Sequence, residues 1–291
     1  MKPLIITDSN CDLSAEFLEE NNIPVIPFYF YLQGKDYEDN FGGSIGYKEF
    51  YDELRRGERS TTAQITPYNL EEYFRKYVSE GYSNFIYIGF SSALSETYNN
   101  AIKAKKAILE ENKYADITVI DSRSATSGQG LLVYYAYEML EQGKSKEEIV
   151  NWVEDNKHKV NIWFTVDSLE HLKRGGRISA TSATLGTVLD VKPVLIVDKD
   201  GKLVAIKKVR GRKKSIITLF EEFKDRVINS EEQIIFINHG DCLEDAECLK
   251  SLIMNEVKVK NVVINYVGPV IGAHTGPGVL SIAYIGKTRE A

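Results

Sequence analysis

Three stretches of the chain concentrate groups that can hold an anion or move a proton. The first, Gly89 to Asn99, carries Ser91, Ser92, Ser95 and Thr97 between an apolar run, Phe85 to Ile88, and a helical pattern. The second, Ser60 to Pro67, contains Thr62, Ala63 and Gln64. The third, Gly268 to Gly278, is dense in glycine and proline and contains His274, Thr275 and Gly276. Hydroxyls donate to a carboxylate or phosphate and accept from its protonated form. A helix start adds free N–H groups and the positive end of the macrodipole. A histidine in a glycine-rich loop sits close to a ligand, as a donor or a general base. Each stretch also has a plainer reading: serine and threonine are preferred N-caps, and the third stretch fits a turn whose histidine faces solvent.

The elements needed to position these groups follow from the periodicity. Strands end at Thr7-Asp8-Ser9, Gly89-Phe90-Ser91 and Asp121-Ser122, each followed by a helical pattern. This alternation predicts a mostly parallel sheet covered on both faces, with ligands at the carboxyl ends of its strands. Ile23 to Leu32, interrupted by Pro24 and Pro27, reads as a second strand near a sheet edge. Lys35 to Gly46 reads as a polar connection, Pro67 as a helix start, and Ser145-x-x-Glu148 as a capping box. Beyond about residue 156 the pattern changes to strands at Val160–Val166 and Val194–Val197, a hairpin turn at Asp198–Gly201, and further strands to Ile285. The expected fold is α/β in two domains. Residues 1–156 form a mostly parallel α/β ligand-binding domain and 157–291 an α+β domain with a mixed or antiparallel sheet, the ligand lying between them.

Composition narrows the function. The net charge is −6, from 36 Lys+Arg against 42 Asp+Glu, which argues against general nucleic-acid binding. The basic clusters Lys173–Arg177 and Arg210–Lys214 read first as solvated surface. No apolar run approaches a membrane span, and Met1-Lys2-Pro3 leads directly into a strand, so a cytoplasmic location is expected. Three cysteines without Cys-x-x-Cys spacing suit reduced thiols. His239, Cys242 and Cys248 do not match a usual metal spacing, so no metal is expected. Gly42-Gly43-Ser44-Ile45-Gly46 satisfies the nucleophile-elbow pattern, but the residues before it are too polar for the buried strand that an elbow requires. Neither nucleotide-binding glycine motif occurs at a strand–helix junction.

Taken together, Thr7-Asp8-Ser9 with Asp12-Leu13, Thr62-Ala63-Gln64, Ser91 to Asn99, Leu172 to Ile178 and His274 to Gly278 resemble the DegV family of bacterial lipid-binding proteins. The resemblance spans the chain. It implies two α/β domains enclosing one long-chain fatty acid, which is the ligand in place of any cofactor. It further implies a role in phospholipid metabolism as the binding subunit of a fatty acid kinase, itself not catalytic. Such a subunit presents the acyl carboxylate to an ATP-binding partner, with transient membrane contact as a further expectation. Carried over, Thr62 and Ser92 would bond the carboxylate with Ser91, Gln64, Thr275 and Gly276 close by, and His274 would close the pocket. Arg174 or Arg177 would support the head group or meet the phosphate. The chain departs from the family at Ala63, commonly serine, and at Glu96, commonly glycine. The competing reading is an independent hydrolase of acyl esters that uses Ser92 or Ser44 with His274.

Overall fold

The computed structural model describes residues 2–178 and 190–289. The first sheet is parallel, in the order β2-β1-β6-β7 (Val25–Ile26, Leu4–Asp8, Asn84–Gly89, Asp116–Asp121). Its connections are the helices α1 (Ala15–Glu20), α3 (Pro67–Ser79) and α4 (Thr97–Glu111). After β7 come α5 (Thr126–Glu141) and α6 (Lys146–Asn156). A small antiparallel sheet, β4-β3-β5 (Lys35–Glu38, Tyr29–Leu32, Thr61–Ala63), forms with α2 (Tyr47–Arg55) an insertion between β2 and α3. The third sheet has six strands in the order β10-β9-β8-β13-β11-β12 (Leu203–Arg210, Val191–Val197, Val160–Thr165, Leu280–Ile285, Ile234–His239, Asn261–Tyr266). It is antiparallel except for the β11–β12 pair. The short helix α7 (Glu170–Arg174) follows β8, while α8 (Arg212–Arg226) and α9 (Leu243–Glu256) cover one face of this sheet. The last helix, α10 (Pro269–Thr275), precedes β13. The fold is thus the expected two-sheet α/β arrangement, parallel first and mixed second.

The layers are joined by α5. Most surface helices show one apolar stripe, but Thr126 to Val133 are all buried, because α5 packs on β1 and β6 on one side and on β8, β11 and β13 on the other. Two glycines permit this approach. A side chain at Gly128 would collide with Ile162 of β8, and one at Gly130 would lie 2.4 Å from the Cys11 carbonyl oxygen.

Local chemistry explains most boundaries. Ser14 and Thr66 cap α1 and α3 by accepting from the backbone N–H groups of Phe17 and Asn69, and Ser145 with Glu148 forms a complete capping box. Three expectations need correction. The run Ile23–Leu32 is two strands in two sheets, because Pro27 has no N–H to extend a ladder and Phe28 N–H turns to the Ser9 hydroxyl. The polar connection after Leu32 contains β4, joined to β3 by Gln33 and Gly34, both with positive φ, as a two-residue hairpin requires. Finally, the glycine-rich stretch around His274 is helix rather than loop. Pro269 opens α10 and Gly276, at φ +78°, closes it. Its N-terminal donors are met from far away in sequence: Asp12 accepts from Gly268 N–H at 2.9 Å and Asp39 from Val270 N–H at 3.3 Å.

The α5 packing yields a test. Gly130→Ala gains about 1 kcal/mol of helix propensity but drives a methyl group into backbone, a clash typically worth about 1–3 kcal/mol and harder to relieve than one against a side chain. Net destabilisation is expected, read as a lower urea midpoint with unchanged m-value. A variant as stable as the parent would mean that α5 does not pack this closely.

Candidate ligand-binding site

A cavity of about 450 Å³ lies between the carboxyl ends of the parallel strands and the inner face of the mixed sheet. Phe28, Phe90, Ala125 and Thr126 form one wall, and Ile162, Phe164, Val197, Leu203, Val279 and Ser281 form the facing wall. Helix α10 closes a side with Val270, Ile271, His274 and Thr275. The cavity opens where Ala63, Gln64, Ala93 and Glu96 are exposed, and its inner residues, such as Asn10, Ile162 and Val279, are buried. The volume falls within the roughly 300–1,000 Å³ of small-molecule sites, and the walls are mainly apolar with a polar mouth.

At the mouth the Thr62 hydroxyl meets His274 Nε2 at 2.8 Å. Thr62 is positioned by β5, which pairs with β3, and by the residues that follow it. Thr97 Oγ1 accepts from Ile65 N–H at 3.1 Å and Asn100 Nδ2 donates to Ile65 O at 3.0 Å. His274 is seated against Gly175, where any side chain would overlap its Nδ1. Burial lowers its pKa to about 4, and the positive charges of Arg177 and Arg174 act in the same direction. The imidazole is therefore neutral at pH 7 and carries one N–H. Arg177 is half-buried in the cavity wall and donates to Gly175 O at 2.5 Å and Leu94 O at 3.3 Å. Among the described residues no carboxylate pairs with it, and burial lowers its pKa. A positive guanidinium, a hydroxyl and a neutral histidine thus converge at the mouth.

The other residues singled out in the sequence are placed less directly. Ser92 lines the cavity, but its hydroxyl donates to Asp121 Oδ2 at 2.5 Å and its N–H to Oδ1 at 3.2 Å. Ser91 is fully buried and turned away from the cavity. Its hydroxyl donates to Gly201 O at 2.9 Å, at the tip of the β9–β10 hairpin, and accepts from Ala93 N–H. Ser95 meets Thr97 across 3.0 Å, so part of the hydroxyl cluster serves the turn before α4, although the N-cap of that helix is Glu96 and its side chain makes no capping bond. Gln64 and Thr275 line the cavity, although the Thr275 hydroxyl donates back to Ile271 O. Gly276 lies against the His171 ring. Arg174 is exposed and donates to His171 Nδ1 at 2.9 Å, outside the lining residues. Because arginine only donates, that nitrogen must be the unprotonated one. Glu96 stands exposed at the mouth and accepts from Asn99.

The hydrolase reading has no assembled dyad. His274 Nε2 faces Thr62, the Ser92 proton goes to Asp121, and Ser44 lies exposed in the turn before α2, not after a buried strand. Among the described residues no three metal-binding side chains come together, and His239 Nδ1 accepts from Cys242 N–H. No helix among them is long and apolar enough to cross a membrane. Sequence reasoning missed Asn10 and the apolar walls. Asn10 follows a strand end, as ligand residues in such sheets do, but no local pattern marked it.

An apolar cavity at the strand ends of a parallel sheet, walled by a second sheet and polar at its mouth, has the volume and lining of a small-molecule binding site. The family model for uncharacterised proteins of the DegV family matches residues 2–287, and the chain belongs to the DegV family. It is 45% identical over 289 residues to a DegV domain-containing protein of Clostridium perfringens, covering 99% of each. Its fold superposes on a fatty-acid-binding DegV family protein from Thermus thermophilus with a TM-score of 0.88 at 29% identity, covering 98% of this chain and 100% of that one. A stearic-acid-binding protein from Eubacterium ventriosum gives 0.82 at 29%, covering 97% and 98%.

The His274 environment predicts its titration. Its folded pKa of about 4 lies below the ordinary 6.5, so the unfolded chain binds the proton more tightly. Its contribution to stability is complete above about pH 6.5 and is lost as pH falls toward 4. Asp39, raised by burial to about 7, works in the opposite sense: its contribution is full below 3.8 and lost as pH rises toward 7. Nitrogen-15 NMR should find the His274 ring neutral down to about pH 4, and a midpoint near 6.5 would mean the ring is solvated.

Proposed function

We propose that this protein binds a long-chain fatty acid, with the carboxylate at Thr62, His274 and Arg177 and the tail in the apolar cavity. The observation that carries this reading is the Arg177 charge, unpaired by carboxylate among the described residues, at the mouth of an otherwise apolar cavity. The relatives that bind fatty acids support it. With His274 donating Nε2–H to the Thr62 oxygen, the Thr62 proton is left for the ligand. Arg177 supplies charge and N–H donors beyond its two backbone bonds. Ser92 contributes only if its hydroxyl leaves Asp121, so it ranks below Thr62. Ala63 removes one donor, and Glu96 sets a like charge at the rim, where solvent screens it. Burying about 14 methylenes at roughly 0.8 kcal/mol each supplies on the order of 11 kcal/mol before association costs. The tail therefore provides affinity and the head group orientation.

With the carboxylate at the open end, the bound acid faces outward. This suits presentation to a separate ATP-binding kinase subunit, in which a carboxylate oxygen attacks the γ-phosphorus and ADP leaves. In that reading the protein is the non-catalytic binding subunit, and Arg174, exposed and within electrostatic reach of His274, would meet the phosphate. The transient membrane contact and cytoplasmic location expected from the resemblance belong to the same reading, as does the division at residues 156 and 157.

Native mass spectrometry of the purified protein, followed by denaturation and lipid extraction, is the first test. A stoichiometric long-chain fatty acid released on unfolding is expected. A protein that is empty and also takes up no added fatty acid rejects the proposal. Thr62→Val and Arg177→Gln should each weaken fatty-acid binding about tenfold or more in a displacement titration, in line with the roughly 1.5–3 kcal/mol of a hydrogen bond to a charged group. Incubation with ATP and the ATP-binding subunit should give acyl phosphate. Its absence with the fatty acid bound would reject the kinase role and leave the binding role standing.

A further inference from the structure

We infer that the inner end of the cavity is a second polar subsite, which recognises a hydroxyl group carried on the acyl chain. The inference rests on the fatty-acid reading above. Asn10 lines the cavity, is 0% exposed, and has both side-chain polar atoms without a hydrogen-bond partner among the described residues. It stands in a 3-10 turn (Ser9–Cys11) at the carboxyl end of β1, facing a wall that includes Ile162, Phe164 and Val279. Other groups close the turn: Asn10 N–H goes to Asp8 Oδ1, Asp12 N–H to Ser9 O, and the Ser9 hydroxyl accepts from Phe28 N–H. The amide side chain is therefore not needed to build the turn.

An amide brings two donors and two acceptor lone pairs, and leaving them unmet in an apolar wall is a cost that folded proteins rarely carry without use. A small apolar side chain there would carry no such cost. Next to Asn10, Thr126 lines the same wall with its hydroxyl beside the Asp12 carboxyl. Thr126 has φ +44°, a region that β-branched residues avoid, so its placement is maintained against backbone preference. A plain alkyl chain lying here leaves the Asn10 amide unpaired. A chain hydroxyl both donates to Oδ1 and accepts from Nδ2, which makes a secondary alcohol the group that fits. Ala63, Gln64, Ala93 and Glu96 at the rim are exposed and Asn10 is fully buried, which puts the hydroxyl inside the cavity and not at its rim.

The test measures dissociation constants of the full chain for octadecanoic acid and for a series of monohydroxyoctadecanoic acids with the hydroxyl walked from carbon 2 to the far end. One position should bind about tenfold more tightly than the unsubstituted acid, the ratio expected of about one net hydrogen bond. In Asn10→Ala the ratio of that peak to the unsubstituted acid should fall to about one. Should Asn10→Ala fail to fold, Thr126→Val, which keeps the shape and the backbone demand, should lower the same ratio. A series in which hydroxylation weakens binding at every position, with the plain acid still bound, overturns the subsite alone; a water held by Asn10 under any chain would give that result. Failure of every acid to bind overturns the fatty-acid reading and the subsite with it.

Discussion

The cavity exists because one helix is buried between two sheets. From Thr126 to Val133, α5 touches β1 and β6 with one side and β8, β11 and β13 with the other. Gly128 and Gly130 let it approach both Ile162 and the turn at Cys11. This contact sets the spacing between the parallel sheet and the mixed sheet. Just beyond the start of the helix, among the described residues, the sheets face each other with no helix between them, and that gap is the cavity. Phe28, Phe90 and Thr126 on one wall and Ile162, Phe164 and Val279 on the other hold their separation because α5 holds it.

Charge is distributed to match. Burial keeps His274 neutral, and it does so beside Arg177 and Arg174, so the local field is positive without a histidinium adding to it. Among the described residues, carboxylates other than Glu96 are kept away from Thr62 and His274. Asp12 and Asp39 lie buried at the far end of α10, where they hold its N-terminal N–H groups, and burial raises the pKa of both. Asp121 is occupied by Ser92 and by Arg123. An anion at Thr62 thus meets donors and positive charge, with Glu96 at the solvated rim as the one nearby opposing group in the cavity lining.

Much of the architecture was legible because its signals are local. Strand ends at Asp8, Gly89 and Asp121, the proline start of α3 and the capping box at Ser145 all depend on residues within a few positions of one another. Thr62, Ser92, Arg177 and His274 could be named from their motifs, and all four line the cavity. What was not legible depends on distant partners. Helix α10 looks like a loop until Asp12 and Asp39 supply its caps, and β4 looks like a linker because its exposed face needs no apolar residues. Ser91 looks like a ligand residue until the tip of the β9–β10 hairpin takes its proton. Local pattern cannot tell a hydroxyl that faces a ligand from one that fastens two segments together.

The fastening of α10 also orders events in time. Asp12 to Gly268, Tyr51 to Val267 and Thr62 to His274 are hydrogen bonds that span 256, 216 and 212 residues. Contacts of such separation are the slow ones to form, since a long loop must close first. During synthesis the lid precedes part of its own wall, because Val279, Ser281 and the strand β13 that joins β8 to β11 all follow α10, so no chain shorter than about Ile285 completes the cavity. Under the proposed function, a bound lipid would be held by the joining of segments far apart in sequence. Its binding energy would stabilise that junction as well as the pocket, so that cargo retention would report on whether the chain has completed its fold.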